Sequence, residues 1–130
     1  MKHITFLLGL FALLMATVAA AQDTTITVKR AVVCTGVVDR EPVGEASAFA
    51  DSITSLHCFT ELDGALGQVV HSWYHGDKMM FEKILNKGRD GRWRTWSQKN
   101  LIKEWTGVWR VDVKDIAGNV LKSVSFEYGK

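Results

Sequence analysis

The chain has 130 residues, 47% of them hydrophobic, and its 16 basic and 14 acidic side chains give a formal net charge of +2. A chain of this length builds one domain with one modest core. The near-neutral charge argues against a dedicated nucleic-acid-binding protein, because phosphate contacts require a strongly basic surface.

The N-terminus has the pattern of a cleavable signal peptide. A short cationic start is followed by eleven apolar residues, Phe6 to Ala16, and then by the small residues Ala19 to Ala21, which suit a cleavage site. Eleven apolar residues are too few to span a bilayer, which requires about 20. An uncleaved N-terminal anchor is the alternative interpretation.

We therefore predict a signal peptide over residues 1–21 and a single mature domain over residues 22–130 that is periplasmic or secreted. No transmembrane span is expected after cleavage. Without Lys2, fifteen basic residues (16 − 1) remain against fourteen acidic ones, a formal charge of +1. The segment from Lys83 to Arg110 holds eight basic and two acidic residues, which predicts a local cationic patch.

Two cysteines, Cys34 and Cys58, lie in the mature chain. In an exported protein they predict one structural disulfide, with two buried free thiols as the alternative. Successive strand side chains point to opposite faces, and each cysteine falls in the more apolar set of its strand. These sets are Ile26, Val28, Val32 and Cys34 in one strand and Leu56, Cys58, Thr60 and Leu62 in the other. Both thiols are thus expected to face the core, where a bridge would stabilise the domain by about 3 kcal/mol.

Short strand patterns alternate with turn segments along the rest of the chain. The turns contain glycine and lie at residues 63–67, 76–77, 86–91 and 115–119. With one proline and no long helical period, this spacing predicts an all-β antiparallel sandwich of about seven strands, immunoglobulin-like or related. Residues 37–52 lack alternation and are predicted to form the longest irregular connection, which Phe49 anchors to the core.

Five blocks of the mature chain resemble a known bacterial family. They are CTGVVDREPVGEASAF, LHCFTELDGA, VVHSWYHGDK, RWRTWSQK and GVWRVDVKDIAGNVLKSVSF. In this order they are similar to the successive blocks of the family called domain of unknown function 2914, and the resemblance covers essentially the whole mature chain. It implies an extracytoplasmic module. It assigns no catalytic residues, because no activity is attached to the family.

The mature histidines do not form a metal-binding pattern. His71 and His75 lie four residues apart in a strand pattern, which separates their side chains by about 13 Å. That distance is too long for two ligands of one ion, so no metal is predicted. If residues 63–68 form a hairpin, Thr60 faces His71 and Cys58 faces Trp73. His71 would then be a hydrogen-bonded core histidine, and Trp73 would pack against the disulfide as in immunoglobulin-type sandwiches.

No catalytic constellation is recognisable in the sequence. Both thiols are expected to be consumed by the bridge. Ser97 has no histidine nearby in sequence, and the chain contains no G-x-S-x-G elbow. Paired carboxylates would serve glycoside hydrolysis only if one cleft brought them together. We therefore predict a protein without catalytic activity and without a cofactor.

The segment Arg40-Glu41-Pro42 opens the predicted irregular connection. Proline restricts its own backbone and biases Glu41 towards an extended conformation. Two interpretations are open: an exposed corner that contacts a ligand through Arg40 and Glu41, or a loop braced by ion pairs.

The segment from Arg92 to Arg110 contains four of the five tryptophans. In a strand, Trp93 and Trp96 have opposite parity, so one indole can enter the core while the other faces outward. Side chains that could form an exposed basic-aromatic surface are Arg92, Arg94, Trp96, Lys99 and, in the following connection, Trp105, whereas Trp109 belongs to an apolar set and is predicted to be core. Tryptophan and arginine together can stack sugar rings and bond hydroxyls, carboxylates or phosphates. The alternative is that arginine stems cover indoles purely as packing.

These patterns favour a non-catalytic binding module of the cell envelope that recognises a glycan or an anionic polymer. The alternative is a protein-interaction module that uses an exposed sheet edge or the same surface against another envelope protein. An enzyme with a site assembled from dispersed residues is the third class.

Overall fold

A computed structural model describes residues 25–129 of the chain. The predicted signal peptide, residues 1–21, lies outside the described residues. Within residues 25–129, no helix has the length and apolar character needed to cross a membrane.

The described chain is almost entirely β-structure, as predicted. Its strands are β1 (Ile26–Cys34), β2 (Gly36–Val38), β3 (Glu41–Val43), β4 (Ala48–Phe49), β5 (Ser55–Gly64), β6 (Gly67–His75), β7 (Lys78–Lys87), β8 (Trp93–Asn100), β9 (Gly107–Asp115) and β10 (Val120–Tyr128), and one 3-10 turn spans Lys103–Trp105. Seven of these strands have eight to ten residues, which agrees with the predicted number. The remaining three are short.

The seven long strands form a two-sheet sandwich. One sheet has the order β1-β5-β8 and the other the order β4-β10-β9-β6-β7, while β2 and β3 pair separately as a hairpin. All pairings are antiparallel except that of β4 with β10. In immunoglobulin nomenclature, β1, β5 and β8 take the places of strands A, B and E, and β7, β6, β9 and β10 those of C′, C, F and G. The predicted all-β antiparallel sandwich is confirmed.

Aromatic rings fill the space between the sheets. Trp73 on β6 and Trp109 on β9 are both fully buried, and each packs on Phe126 of β10, with ring centroids 6.1 and 6.0 Å apart respectively. A buried tryptophan at the strand C position is a hallmark of immunoglobulin-like domains. A second, smaller cluster of Leu62, Val69 and Val113 also lies in the core, apart from this aromatic cluster. Burying each such side chain contributes about 1.5–3 kcal/mol, so these two clusters hold the sheets together.

The connection between β5 and β6 is not the hairpin that the sequence suggested. It carries the chain from one sheet to the other, so the two strands face each other across the sandwich. Gly64 has a φ of 94°, and a Cβ there would collide with the carbonyl oxygen of Thr25, so this connection requires glycine. Thr60 and His71 were predicted to be neighbours, and they are in contact, with Thr60 Oγ1 3.3 Å from His71 Nε2. They meet because inward side chains of the two sheets interdigitate.

Residues 37–52 are more regular than predicted. The hairpin of β2 and β3 turns through Asp39 and Arg40, whose φ angles are 51° and 62°. This two-residue turn requires left-handed backbone at both positions, for which Asn-Gly is the usual signal, so the Asp-Arg pair concealed it. Phe49 on β4 is 3% exposed and packs edge-on against Phe126 with centroids 5.8 Å apart, which confirms its predicted anchoring role.

The predicted Cys34–Cys58 disulfide does not form in this structure, where both residues are buried free thiols. Strand register is the reason: Cys34 pairs with His57, while Cys58 pairs with Val33. Partners across a ladder share a face and consecutive residues do not, so the two thiols belong to opposite faces. Burial raises the pKa of both thiols, which disfavours the reactive thiolate.

Alkylation by iodoacetamide tests this arrangement. In the native protein both cysteines are expected to react slowly, and in denaturant without reductant two alkyl groups should add per chain, read by mass spectrometry. A denatured chain that reacts only after reduction would restore the predicted bridge.

Candidate functional site: an arginine–tryptophan groove

Strand β8 forms one edge of the three-stranded sheet and presents different side chains on its two faces. Ser97 is 4% exposed and points towards the core, whereas Trp96 is 37% exposed on the outer face. Arg94 shares the outer face with Trp96, because the two lie two positions apart in the strand. The parity predicted for this strand is therefore confirmed.

The outer face of β8 has an aromatic floor. Trp96 stacks on Phe59 of β5 with centroids 6.3 Å apart and planes inclined by 15°. The guanidinium of Arg30 lies 6.0 Å from the Phe59 centroid. Phe59 is thus fully buried although it faces away from the main core, and Trp96 covers it while staying partly accessible.

A chain of ion pairs joins the β2–β3 hairpin to this face. Glu41 of β3 lies 2.9 Å from Arg94 and 3.7 Å from Arg30. Arg94 also lies 3.5 Å from Glu61, which in turn accepts a 2.9 Å bond from Arg92. The brace interpretation of the Arg40-Glu41-Pro42 corner is therefore correct for Glu41.

The same brace fixes Arg40 at the tip of the hairpin. Arg94 Nη1 donates a 3.0 Å hydrogen bond to the carbonyl oxygen of Arg40. Non-glycine residues rarely adopt the left-handed backbone seen here, at a cost of about 1–2 kcal/mol per residue. The Arg94 contact helps to hold this backbone, and it leaves the side chain of Arg40 exposed.

A groove of about 450 Å³ opens beside these residues. Its lining consists of Arg40, Arg89, Arg92, Trp93, Arg94 and Trp96. Since Trp93 and Trp96 project from opposite faces of β8, a groove lined by both runs across the free edge of that strand. We call it the arginine–tryptophan groove.

The loop between β7 and β8 forms the far wall of the groove. The guanidinium of Arg89 lies 5.8 Å from the Trp93 ring. Lys87, which is 1% exposed, donates bonds of 2.6 Å to the Arg89 carbonyl and 3.0 Å to that of Gly64. Trp93 Nε1 is buried and has no hydrogen-bond partner within residues 25–129.

Four of the predicted site residues therefore meet in one place: Arg40, Arg92, Arg94 and Trp96. Sequence reasoning missed Arg89 and Trp93 as groove residues. The alternation rule assigned Trp93 to the core, which is half correct, since it packs against the smaller core cluster and also lines the groove. Arg89 carried no signal, because its position depends on how the loop folds back over the indole.

Lys99 and Trp105 do not join the groove. Lys99 has the opposite parity to Arg94 and Trp96, so grouping it with them was wrong. Its ammonium lies 4.7 Å from the Trp105 ring and 5.9 Å from that of Phe81. Trp105 is half-buried and packs against Trp109 at 6.3 Å. These two residues form a separate contact at another part of the sandwich rim.

The groove retains positive charge after its internal ion pairs are counted. Four arginines line it, and two carboxylates, Glu41 and Glu61, pair with them, which leaves a formal charge of +2 (4 − 2). Guanidinium groups bind carboxylates and phosphates through paired hydrogen bonds, and indole faces stack on sugar rings. The chemistry of this surface suits an anionic ligand.

His71 lies at the centre of a buried polar network between the sheets. Thr60 Oγ1 donates to the carbonyl of Thr95 at 2.9 Å, so it accepts from His71 Nε2. Ser97 Oγ accepts from the indole Nε1 of Trp73 at 3.0 Å and lies 2.7 Å from His71 Nδ1, to which it donates. Every polar atom in this network then has a partner, with His71 as the neutral Nε2–H tautomer.

This network confirms the hydrogen-bonded core histidine and gives Ser97 a histidine partner that is 26 residues away in sequence. The two residues are brought together across the sandwich. The Ser97 and His71 side chains are buried, however, which denies a substrate access to either. Within residues 25–129, no group of three or more histidine, cysteine or acidic side chains is arranged to hold a metal ion.

Comparison with protein families gives one match. The model of the family described as "Protein of unknown function (DUF2914)" covers residues 67–128, from the start of β6 to the end of β10. This segment, 62 of the 130 residues, is what the chain shares with the family. The match is narrower than the resemblance suggested, because the blocks at residues 34–49 and 56–65 lie outside it. No curated protein matches the chain.

The match to the DUF2914 family model therefore covers only part of the groove. Arg89, Trp93 and Trp96 fall within the matched segment, whereas Arg40 and the hairpin that carries it do not. The family description names no activity, so the function of the groove is argued from its chemistry.

The His71 network predicts a pH dependence of stability. Burial lowers the pKa of His71 to about 4, below its ordinary value of about 6.5. The His71 imidazole therefore binds a proton more tightly in the unfolded chain than in the folded one. The contribution of neutral His71 to folding stability is complete above pH 6.5 and is lost as the pH falls towards 4. The loss from this group is about 1.4 kcal/mol per pH unit within that window.

Urea unfolding between pH 4 and pH 7 measures this loss. A His71→Gln variant keeps a donor and an acceptor at the site and is expected to show a flatter profile than the unsubstituted protein. Equal slopes for the two proteins would contradict a buried neutral histidine.

Proposed function

We propose that this protein is an exported, non-catalytic binding module of the bacterial cell envelope that recognises an anionic glycan or related polymer. The observation that carries the proposal is the convergence of four arginines and two tryptophans around one groove. The export pattern of residues 1–21 supports an envelope location. Binding, rather than catalysis, fits a groove whose polar lining is made of guanidinium groups and indoles.

The separate contributions of the two residue types support a glycan in particular. Trp96 is held flat on Phe59, so its exposed part is a rigid apolar surface of the kind that sugar rings stack on. The arginines around it supply donors for hydroxyl and carboxylate oxygens. A volume of about 450 Å³ is within the usual range for small-ligand sites and suits a short stretch of a polymer.

A second candidate is a protein-interaction module. The groove opens at β8, which is an edge strand of its sheet and could accept an extended peptide by strand addition. The arginines would then favour acidic side chains in that peptide. This alternative uses the same residues, so the first experiment must separate it from glycan binding.

Isothermal titration of residues 22–130 with oligogalacturonate tests the main proposal. We expect saturable binding that is about tenfold weaker in Trp96→Ala, because one stacking contact of roughly 1.4 kcal/mol corresponds to a factor of ten. Neutral dextran oligomers of similar length should bind more weakly than oligogalacturonate, since they lack the carboxylates.

Trp105→Ala is the matched control, because it removes an indole outside the groove. Its affinity should equal that of the unsubstituted protein, with folding of each variant checked by circular dichroism. No binding of oligogalacturonate, together with binding of a poly-glutamate peptide, would instead support the protein-interaction alternative.

A further inference from the structure

The four arginines of the groove fall into two pairs with different surroundings. Arg92 and Arg94 are both engaged by Glu61, and Arg94 is engaged by Glu41 as well. Within residues 25–129, no carboxylate forms an ion pair with Arg40 or Arg89. The formal charge of +2 left in the groove is therefore carried by Arg40 and Arg89.

These two unpaired arginines stand on different walls of the groove. Arg40 is at the tip of the β2–β3 hairpin, which packs on the outer face of the sheet. Arg89 belongs to the loop before β8 and lies over Trp93, whose indole packs against the inner cluster. A line from one arginine to the other therefore crosses the edge of β8.

The backbone that carries each of them is fixed in the same manner. The Arg40 carbonyl accepts a bond from the Arg94 guanidinium, and the Arg89 carbonyl accepts one from the ammonium of Lys87. The Arg89 loop is tied further by Asp90 Oδ1, which accepts from the Leu66 amide at 2.9 Å. Holding the backbone in advance reduces the entropy lost when the side chains engage a ligand.

We propose that the groove binds a linear polyanion that crosses the edge of β8, with one anionic group held by Arg40 and another held by Arg89. Glu41 and Glu61 act as internal counter-ions that neutralise Arg94 and Arg92 and so leave the two end positions to the ligand. This inference rests on the proposed function and names the charge pattern of its ligand.

A repeating polymer and a single anion then differ in a predictable way. A single carboxylate or phosphate contacts one wall of the groove, whereas a polymer with charges on successive units contacts both walls. The second contact is intramolecular, so it costs no further translational or rotational entropy. Oligogalacturonate should therefore bind far more tightly than galacturonic acid at equal carboxylate concentration.

The internal counter-ions predict a gain of binding on substitution. Glu61 accepts hydrogen bonds from Arg92 Nε and Nη2 at 3.2 and 2.9 Å, so it occupies donors that a ligand carboxylate would use. In Glu61→Gln the neutral amide oxygen holds these donors less strongly than the carboxylate does, and the groove gains one positive charge. Oligogalacturonate affinity should rise by about three- to tenfold, the reverse of losing one partly exposed ion pair.

The test is titration of residues 22–130 and their variants with oligogalacturonate, galacturonic acid and inorganic polyphosphate. Arg40→Gln and Arg89→Gln are each expected to lose about three- to tenfold in oligogalacturonate affinity and little in affinity for galacturonic acid. Lys122→Gln, an exposed charge on β10 outside the groove, is the matched control and should bind as the unsubstituted protein does. The gain from Glu61→Gln should shrink in an Arg92→Gln background, because the two residues interact.

Polyphosphate carries anionic groups without sugar rings, so comparing it with oligogalacturonate separates the contribution of charge from that of ring stacking. If Trp96→Ala weakens oligogalacturonate binding but leaves polyphosphate binding unchanged, both polymers use the arginines and only the sugar polymer uses the indole. This outcome supports a charge-spaced polyanion as the ligand class.

Two results would overturn the inference while leaving the proposed function intact. One is oligogalacturonate binding that Arg40→Gln and Arg89→Gln reduce no more than Lys122→Gln does. The other is galacturonic acid that binds as tightly as the oligomer. Absence of binding to every anionic polymer would instead remove the proposed function itself.

Discussion

The alternation of side chains along β8 is the constraint on which both the core and the groove depend. On its inner face, Ser97 accepts the indole proton of Trp73 and bonds His71, which ties the three-stranded sheet to the five-stranded one. On its outer face, Arg94 holds the hairpin of β2 and β3 through Glu41, and Trp96 covers Phe59. One strand thus adds a polar link between the two sheets to their hydrophobic packing, and it also shapes the surface outside them.

This arrangement explains why the groove combines fixed and exposed charges. Arg94 has a side chain only 21% exposed and is held by two carboxylates and a carbonyl, so it acts as part of the scaffold. Arg40 occupies left-handed backbone at the hairpin tip, a local cost that the surrounding contacts offset.

The sequence predicted the parts of the fold that rest on alternation and turn chemistry. Period-two patterns and glycine turns were enough for the seven long strands, the buried Trp109 and the outward Trp96. These patterns did not predict which strands pair with β5. The inward-facing residues of β5, such as Thr60, are compatible both with a hairpin to β6 and with a connection that crosses to the other sheet. The register of β1 against β5 also explains why the disulfide prediction failed. The cysteines are offset by one residue and lie on opposite faces of the sheet, although the pattern of each strand alone placed its cysteine on the inner face.

The candidate site was predictable only in part for a related reason. Arg92, Arg94 and Trp96 share one strand face, so local periodicity groups them. Arg89 enters the groove through a loop conformation fixed by a buried lysine and a distant carbonyl, and Arg40 enters through a turn that carries no Asn-Gly signal. Contacts between residues far apart in sequence determined both positions, and a single sequence contains no record of such contacts.

Indole N–H resonances offer the most direct test of the central claim, that ligand binds across the edge of β8. The five tryptophans occupy distinct environments, with Trp93 and Trp96 in the groove, Trp73 and Trp109 in the core and Trp105 at another part of the rim. In a heteronuclear correlation spectrum titrated with oligogalacturonate, the Trp93 and Trp96 signals should move while those of Trp73 and Trp105 stay in place. Movement of the Trp105 signal with Trp93 and Trp96 unchanged would contradict the account and place the binding surface elsewhere.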